Sequence, residues 1–518
     1  MSPINADILE QELVNHPNRK FVDYLINGIR NGFDTMISSL DLPTYECSNL
    51  LSATRDPVSV DRLLEREVSK GYIKGPFKEP PFPVYRVSPL GIAEGKYSGK
   101  KRLILDLSSP HDNEKHPSIN NLIDKELCSL SYVKIDDAID KIKLCGKNAI
   151  LNKTDITDAF KQIGISKDQH HLFCMKWKNS YYYYVRLCFG SRSSPRIFDT
   201  LSLAICWIAE ENYGIPIILH LLDDFLTIQS PDSCGFRTMA LISLIFNRLN
   251  IPISKKKTVG PTTNLEYLGI ILDTERFEAR LPDEKIDRVI CFIQSFLHRK
   301  KITKRELLQL LGHFNFAARI IRPGRSFVSH LIKLSTKVEK LHYYLSLSEE
   351  CRDDLRMWYS FLTGWNRVSF FYDDEITIAS DMELFTDAAS NFGFGGYFQG
   401  KWFSNSWPSE LPESLDSTMS MAFRELYPIV VAAYLWGHLW CRKRILFHCD
   451  NEAVVNIVNK GRSKVQDIMK LMHTLTWLSV KHNFTIHCKH IAGVKNIIAD
   501  ALSCFEFQIP HKDSLPGL

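Results

Sequence analysis

IPIILHLLDDFLTI, residues 215–228, sets two adjacent acids between two apolar runs, and this pattern reads as a β-hairpin with Asp223 and Asp224 at its tip. Upstream, KTDITDAFKQIGI, residues 153–165, places Asp155 at the end of another apolar stretch, where a strand would deliver its carboxylate to a sheet edge. Neighbouring carboxylates in an apolar hairpin repel one another and are costly to desolvate, and a divalent cation would relieve both problems. Three carboxylates from two strands suit two-metal phosphoryl transfer, in which ions roughly 3.5–4 Å apart hold the attacking and leaving oxygens. Taken alone, an Asp-Asp pair is also compatible with a plain polar turn.

The surrounding segments separate these readings. RLCFGSRSSPRIFDTL, residues 186–201, lies between the two acidic sites, and Ser194-Pro195 reads as a helix start with proline in the first turn. LEYLGIIL, residues 265–272, follows the hairpin. This ordered set resembles the polymerase core of reverse transcriptases: TDITDAF stands in the place of the first catalytic motif and LLDD in that of the aromatic-x-Asp-Asp signature. FGSRSSP is similar to the helix motif of the gypsy group, and EYLG to the primer-grip turn. The resemblance implies that Asp155, Asp223 and Asp224 bind metal and that Phe160 blocks a nucleotide 2′-hydroxyl. It also implies that Gly190 lies in a substrate-binding motif. Arg102, with Lys96 or Lys101, would contact the incoming triphosphate. Lys256 or Lys257 would protonate the pyrophosphate, the run of three lysines leaving the register open. Leu221 departs from the family's Tyr or Phe without removing a metal ligand, and Asp158 reads as a backbone helper or a surface cap.

A second acidic set follows. ELFTDAAS carries Asp387, SMAFRELYPIVVAA carries Glu425, RILFHCDNEAV carries Asp450 and HIAGVKNIIADALS carries Asp500. Only folding brings together acids so far apart in sequence. Their order on strand, helix, strand and helix resembles ribonuclease H, which implies that these four hold two magnesium ions to cut a phosphodiester. His490 matches a mobile histidine that assists water activation or product release.

Composition agrees with a multidomain globular chain: 518 residues, 45% hydrophobic and 24% charged. The best candidate for a membrane span, Tyr427 to Trp440, is too short and contains Pro428, Gly437 and His438. MSPINADILEQE lacks the pattern of a secretory signal, so the expected setting is intracellular, in cytoplasm or nucleus, with no membrane partner. The 13 cysteines are scattered without a CxxC pair and read as reduced thiols. Between Arg276 and Lys340 there are 15 Lys and Arg against 6 Asp and Glu, in a chain whose net charge is only +5. Arg299, Lys300, Lys301, Lys304 and Arg305 read as two helical turns, with Arg319, Arg322 and Arg325 continuing at helical spacing; a phosphate-contacting arm and a solvated surface helix both fit.

The expected fold is α+β multidomain: a right-hand polymerase of fingers, palm and thumb followed by a ribonuclease H-like α/β domain. The expected segments are an N-terminal extension over 1–60, fingers and palm over 61–275 and a basic helical thumb or connection over 276–375. A ribonuclease H-like domain follows over 376–505, then a tail over 506–518. HPNRKFVDYLINGIRNGFD and PPFPVYRVSPLGIAEGKYSGKKRLILDLSSPHD look like the N-terminal part of reverse transcriptases from DIRS-type, tyrosine-recombinase retrotransposons. The resemblance implies an RNA- and DNA-directed DNA polymerase with ribonuclease H activity, using two Mg2+ ions per site, with Mn2+ as an alternative. Its partners would be an RNA template, a DNA primer, the RNA–DNA hybrid and deoxynucleoside triphosphates, with a separately encoded recombinase. A co-opted copy that only binds nucleic acid, or a nuclease with an impaired polymerase, stands as the alternative.

Overall fold

The acid-tipped hairpin forms as its alternation requires: Ile218–Leu221 and Asp224–Gln229 pair antiparallel, with Leu221 opposite Asp224. The structure, a computed structural model, describes residues 2–95, 99–111, 113, 115–364, 368–370, 383–390, 392–408, 417–441, 443–461, 463 and 465–505. By its contacts the chain divides into two compact units, Met1–Tyr267 and Leu268–Leu518. Both mix helix and sheet, as the α+β multidomain expectation requires.

In the first unit the hairpin joins a four-stranded sheet, ordered Val259–Thr262, Ile150–Asp155, Asp224–Gln229, Ile218–Leu221, all antiparallel. Helices Ser194–Trp207 and Gly235–Arg248 cover it, burying Leu201, Ile205, Ile242, Ile245 and Phe246 with Phe225 and Ile218 in one core. Burying each such side chain contributes roughly 1.5–3 kcal/mol. Proline at the start of Ser194–Trp207 costs nothing because the first turn has no N–H acceptor to lose. A five-stranded sheet and the hairpin Leu90–Glu94/Lys101–Leu105 complete this unit.

The first 60 residues, expected as an N-terminal extension, share the core of the first unit. Ile4, Leu9, Leu13, Val22, Leu25, Ile29 and Phe33 belong to the core just described, and the Asn5 N–H donates to the Leu249 carbonyl at 2.9 Å. Helix Arg19–Asn31 carries Val22, Leu25 and Ile29 into this core, with Asn18 capping its N-terminus.

The second unit contains the basic segment, where the two helical turns expected over Arg299 to Arg305 are interrupted. Helix Asp283–Leu297 ends before Arg299; Lys301–Thr303 is a strand paired with Tyr344–Ser346; a new helix, Lys304–Ala317, starts at the capping box of Thr303 and Glu306. The strand forms because its partner lies some forty residues on, a contact that local spacing does not reveal. Arg299 is held by both carboxylate oxygens of Glu306, and Lys304 donates to the Val338 carbonyl, so part of the basic run is committed inside the fold. Arg319 lies over the Phe316 ring. The boundary expected at 375/376 and the tail from 506 lie outside the described residues.

Beyond it, a five-stranded sheet runs in the order Lys401–Ser406, Gly393–Phe398, Glu383–Ala388, Arg444–Cys449, Thr485–His490. The first three strands are antiparallel and the last two join in parallel, with helices Ser417–Trp436, Glu452–Lys460 and Gln466–His482 supplying the core partners. Helix Glu452–Lys460 is not among the expected elements, although Asn451 caps it and Gly461, at φ 66°, ends it. Among the described residues no helix is long and apolar enough to cross a membrane, and all 13 cysteines are free.

Gly395 pairs with Asp387 across two strands, and a Cβ there would lie 2.5 Å from the Leu502 Cβ. Only glycine lets helix Ile497–Ser503 lie this close to the Asp387 strand. Gly395→Ala is therefore expected to lower stability by about 1–3 kcal/mol, as overpacking does. Hydrogen exchange should speed up in residues 497–503 and leave the first unit's sheet unchanged.

Candidate active sites

Asp155 ends its strand directly opposite Asp224 on the neighbouring strand, and Asp223 lies in the adjoining turn. The turn needs Leu222 in the left-handed region, φ 54°, which is costly for a branched side chain and is held from outside. Ser202 Oγ, from helix Ser194–Trp207, donates to the Leu222 carbonyl at 2.8 Å. One turn earlier on that helix, Asp199 Oδ1 lies 3.1 Å from His220 Nε2. The Asp223 carbonyl accepts from the Ile156 N–H at 3.1 Å, and the Asp155 carbonyl from the Ser254 N–H at 2.8 Å. Backbone bonds thus fix three acids from two strands at one end of the sheet.

Burial raises Asp223 above the ordinary carboxylate range, and the charge of Asp155 adds to it; Asp224 is raised by burial and by both neighbouring acids. Two lysines offset this repulsion. Lys257 Nζ donates to Asp155 Oδ2 at 2.7 Å, while Lys153 Nζ lies 3.7 Å from Asp224 Oδ1 and donates to the Glu266 carbonyl at 3.3 Å. Of the lysine run it is Lys257, and not Lys256, that reaches the carboxylates; Lys256 is exposed. Lys153 had no assigned role, though its place two residues before Asp155 puts both on one strand face.

Phe160 follows in the short turn Ala159–Gln162 and packs on Phe189 and Phe198, with ring centroids 5.3 and 5.5 Å away. Asp158 makes no contact with the three acids; it accepts from Lys70 Nζ and Tyr72 Oη. Gly190, at φ +104°, has no room for a Cβ, which would lie 2.5 Å from the Leu105 carbonyl oxygen; its own carbonyl accepts from Asn120 Nδ2. Lys101 donates to Asp56 Oδ2 at 2.7 Å and to Ser59 Oγ. Arg102 is exposed on the next position of the strand, and Lys96 lies outside the described residues. A cavity of about 610 Å3 beside them is walled by Arg62, Leu63, Arg66, Gly99, Lys100 and Lys101. The two arginines, one helical turn apart, carry a basic signal that the sequence reading passed over.

In the second unit, Asp387 is buried next to the end of its strand, Glu383–Ala388, and its Oδ2 accepts from Ser503 Oγ at 2.6 Å. Burial pushes Asp387 up to about 6, with the charges of Asp450 and Asp500 adding and Ser503 opposing. Glu425 is pushed up to about 9 by burial and then by Asp387 and Asp450. Asp450 rises mainly through burial, with Asp500 adding and His490 opposing. Asp500 is exposed on helix Ile497–Ser503, three residues before Ser503, so this helix presents one acid and orients another. His490 Nε2 lies 3.0 Å from the Asp450 carbonyl, placing it as the donor there. Ser503 carried no expected role, although it closes the ADALS motif.

These residues suit a divalent cation. Glu425 Oε2 is buried without a hydrogen-bond partner, and Glu425, Cys449 and Asp450 offer ligand atoms within 4.8 Å of one another. The hard oxygen donors are the fitting ones for magnesium, because burial holds the Cys449 thiol protonated.

No protein-family model matches the chain. Over 363 residues it is 21% identical to the Retrovirus-related Pol polyprotein from transposon opus of Drosophila melanogaster, covering 67% of this chain and 34% of that protein. The chain therefore spans about a third of the length of that relative. Solved structures of the foamy viral protease-reverse transcriptase are also similar. One, called dRH, in complex with double-stranded DNA, gives a TM-score of 0.49 at 16% identity over 93% of this chain and 81% of that one. Another, with an RNA/DNA hybrid, gives 0.49 at 15% over 99% and 64%. At these values the likeness adds no weight to a fold that rests on strand order and register.

The raised carboxyls predict a stability trend. A carboxyl whose folded pKa exceeds its unfolded one binds more protons folded, so the stability it contributes is present below the unfolded value and lost as pH rises through the folded value. For Glu425 that window runs from 4.5 to about 9. In chelator-treated protein the melting temperature of the second unit should fall between pH 5 and 8, and Glu425→Gln should flatten the fall, as read by calorimetry.

Proposed function

We propose that the chain is a retroelement reverse transcriptase with ribonuclease H activity: an RNA- and DNA-directed DNA polymerase whose hybrid product is cleared of RNA by the second site. The observation that carries this reading is the facing pair Asp155 and Asp224, with Asp223 beside them, followed later in the chain by a second desolvated cluster of Asp387, Glu425 and Asp450. Similarity to a retrovirus-related Pol polyprotein supports it. The N-terminal motifs favour an element of the DIRS type with gypsy-like polymerase motifs and a separately encoded recombinase. The domains we assign are fingers and palm up to about residue 275, including the first 60 residues, a thumb or connection over 276–375 and the nuclease over 376–505.

In the first site Asp155, Asp223 and Asp224 would hold two Mg2+, or Mn2+, ions, and in the second Asp387, Glu425, Asp450 and Asp500 would do so. Ions so held supply charge neutralisation at the attacking and leaving oxygens of a phosphodiester. The residues of the chain do the rest. The Phe160 ring would lie under the sugar and exclude a 2′-hydroxyl, while Arg102 and Lys101 would contact the triphosphate, with Arg62 and Arg66 walling the cavity beside Lys101. Gly190 lets the backbone approach the substrate closely. Lys257 stands at Asp155 with a proton to give the leaving pyrophosphate, and His490, held at the Asp450 carbonyl through Nε2, would assist water activation or product release. Exposed Lys300, Lys301 and Arg305 of the basic segment would contact the phosphates of template, primer and hybrid.

The test is extension of a DNA primer on an RNA template with deoxynucleotides and Mg2+, beside cleavage of an RNA–DNA hybrid. Asp223→Asn should reduce extension alone and Asp450→Asn cleavage alone, each by more than about a hundredfold, which loss of even an outer metal partner can reach. Cleavage without extension by the native chain would leave a nuclease with an impaired polymerase. Salt-sensitive binding with neither activity would mean a co-opted nucleic-acid-binding protein.

A further inference from the structure

Lys161 follows Phe160 in the turn Ala159–Gln162, yet its side chain packs into the protein, where the residue is only 5% exposed. Its ammonium lies 3.6 Å from Glu67 Oε2 and 3.8 Å from the centroid of the Tyr184 ring. The first distance is too long for a hydrogen bond, and neither Lys161 Nζ nor Glu67 Oε2 has a hydrogen-bond partner. Burial lowers the lysine below its ordinary range, with Glu67 opposing the shift. Such a pair adds little to stability, because desolvation offsets the attraction, whereas losing one partner strands a buried charge. Where buried pairs persist, fixing one geometry is their best-attested use.

The geometry being fixed is next door. Glu67 lies in the last turn of helix Pro57–Ser69, and Lys70, which caps that helix, donates to Asp158 Oδ2, joined by Tyr72 Oη at 3.2 Å. The end of one helix thus grips the turn on both flanks of Phe160, at Asp158 and at Lys161. The turn itself is closed by the Lys161 N–H to the Asp158 carbonyl at 2.8 Å, and Asp158 is left-handed at φ 50°.

We propose that Glu67 and Lys161 are positioning residues for the Phe160 ring, and that through it they set how strongly deoxyribonucleoside triphosphates are preferred over ribonucleoside triphosphates. The inference rests on the polymerase reading. Discrimination against one hydroxyl depends on where the ring stands, and misplacement by about 1 Å can cost about a hundredfold in rate.

The test compares native protein with Glu67→Gln, Lys161→Met, Lys161→Arg and the double variant Glu67→Leu/Lys161→Met, which replaces both charges by apolar groups of similar size. Primer extension gives kcat and KM for deoxy- and ribonucleotides; hydrogen exchange across the first unit's sheet serves as the folding control. We expect the deoxy-to-ribo ratio of kcat/KM to fall by about tenfold or more in the two single neutral variants and in the double variant, mainly through a lower ribonucleotide KM. Lys161→Arg should restore most of it. A ratio within about twofold of native in a double variant that still extends primers would overturn the proposal. If the native chain does not extend primers, the polymerase reading fails separately, and hydrogen exchange still reads the positioning. Faster exchange over residues 158–163 in the double variant supports it, and unchanged exchange overturns it.

Discussion

Carboxylates that face one another out of water are the constraint on which this structure turns. Two like charges 4 Å apart at an effective dielectric of 20 repel by about 4 kcal/mol, and burial adds to that. The chain accepts the repulsion twice, at Asp155, Asp223 and Asp224 and at Asp387, Glu425 and Asp450, and raised carboxyls at both places are its signature. The surrounding elements serve to hold these acids where they would not stay unaided.

The two clusters are held by different means. In the first, cations of the chain stand against the acids: Lys257 on Asp155 and Lys153 near Asp224. Backbone bonds and Ser202 fix a turn that contains a left-handed leucine. In the second, a hydroxyl does the orienting, Ser503 to Asp387, and a glycine, Gly395, makes room for the helix that brings both Ser503 and Asp500. Glu425 keeps a buried oxygen with no hydrogen-bond partner. The Glu67–Lys161 pair extends the same economy to Phe160, a buried charge used for placement more than for stability.

Much of this was legible in the chain. Acids set into apolar runs reveal themselves because such runs must be buried strands, and Asp155 and Asp223–Asp224 were found that way. The helix Glu452–Lys460 was equally legible, from Asn451 before it and Gly461 after it, and was passed over. Other features were not legible. Three consecutive lysines carry no signal for which one reaches Asp155. The run from Arg299 to Arg305 has helical spacing, yet a strand at Lys301–Thr303 interrupts it because Tyr344–Ser346 offers backbone partners. The first 60 residues name no chemistry, and only the shared core shows that they belong to the first unit.

By itself, the sequence determined the identity of the acids, the strands and helices that carry them and the order of the two clusters along the chain. These follow from periodicity and from the cost of burying charge, which act over a few residues. Tertiary structure alone decided which cation meets which acid, that Lys101 pairs with Asp56, and that Glu67 lies against Lys161. Contacts of this kind join positions tens of residues apart, and pairing at such range is set by how sheets and helices pack, with no trace in local spacing.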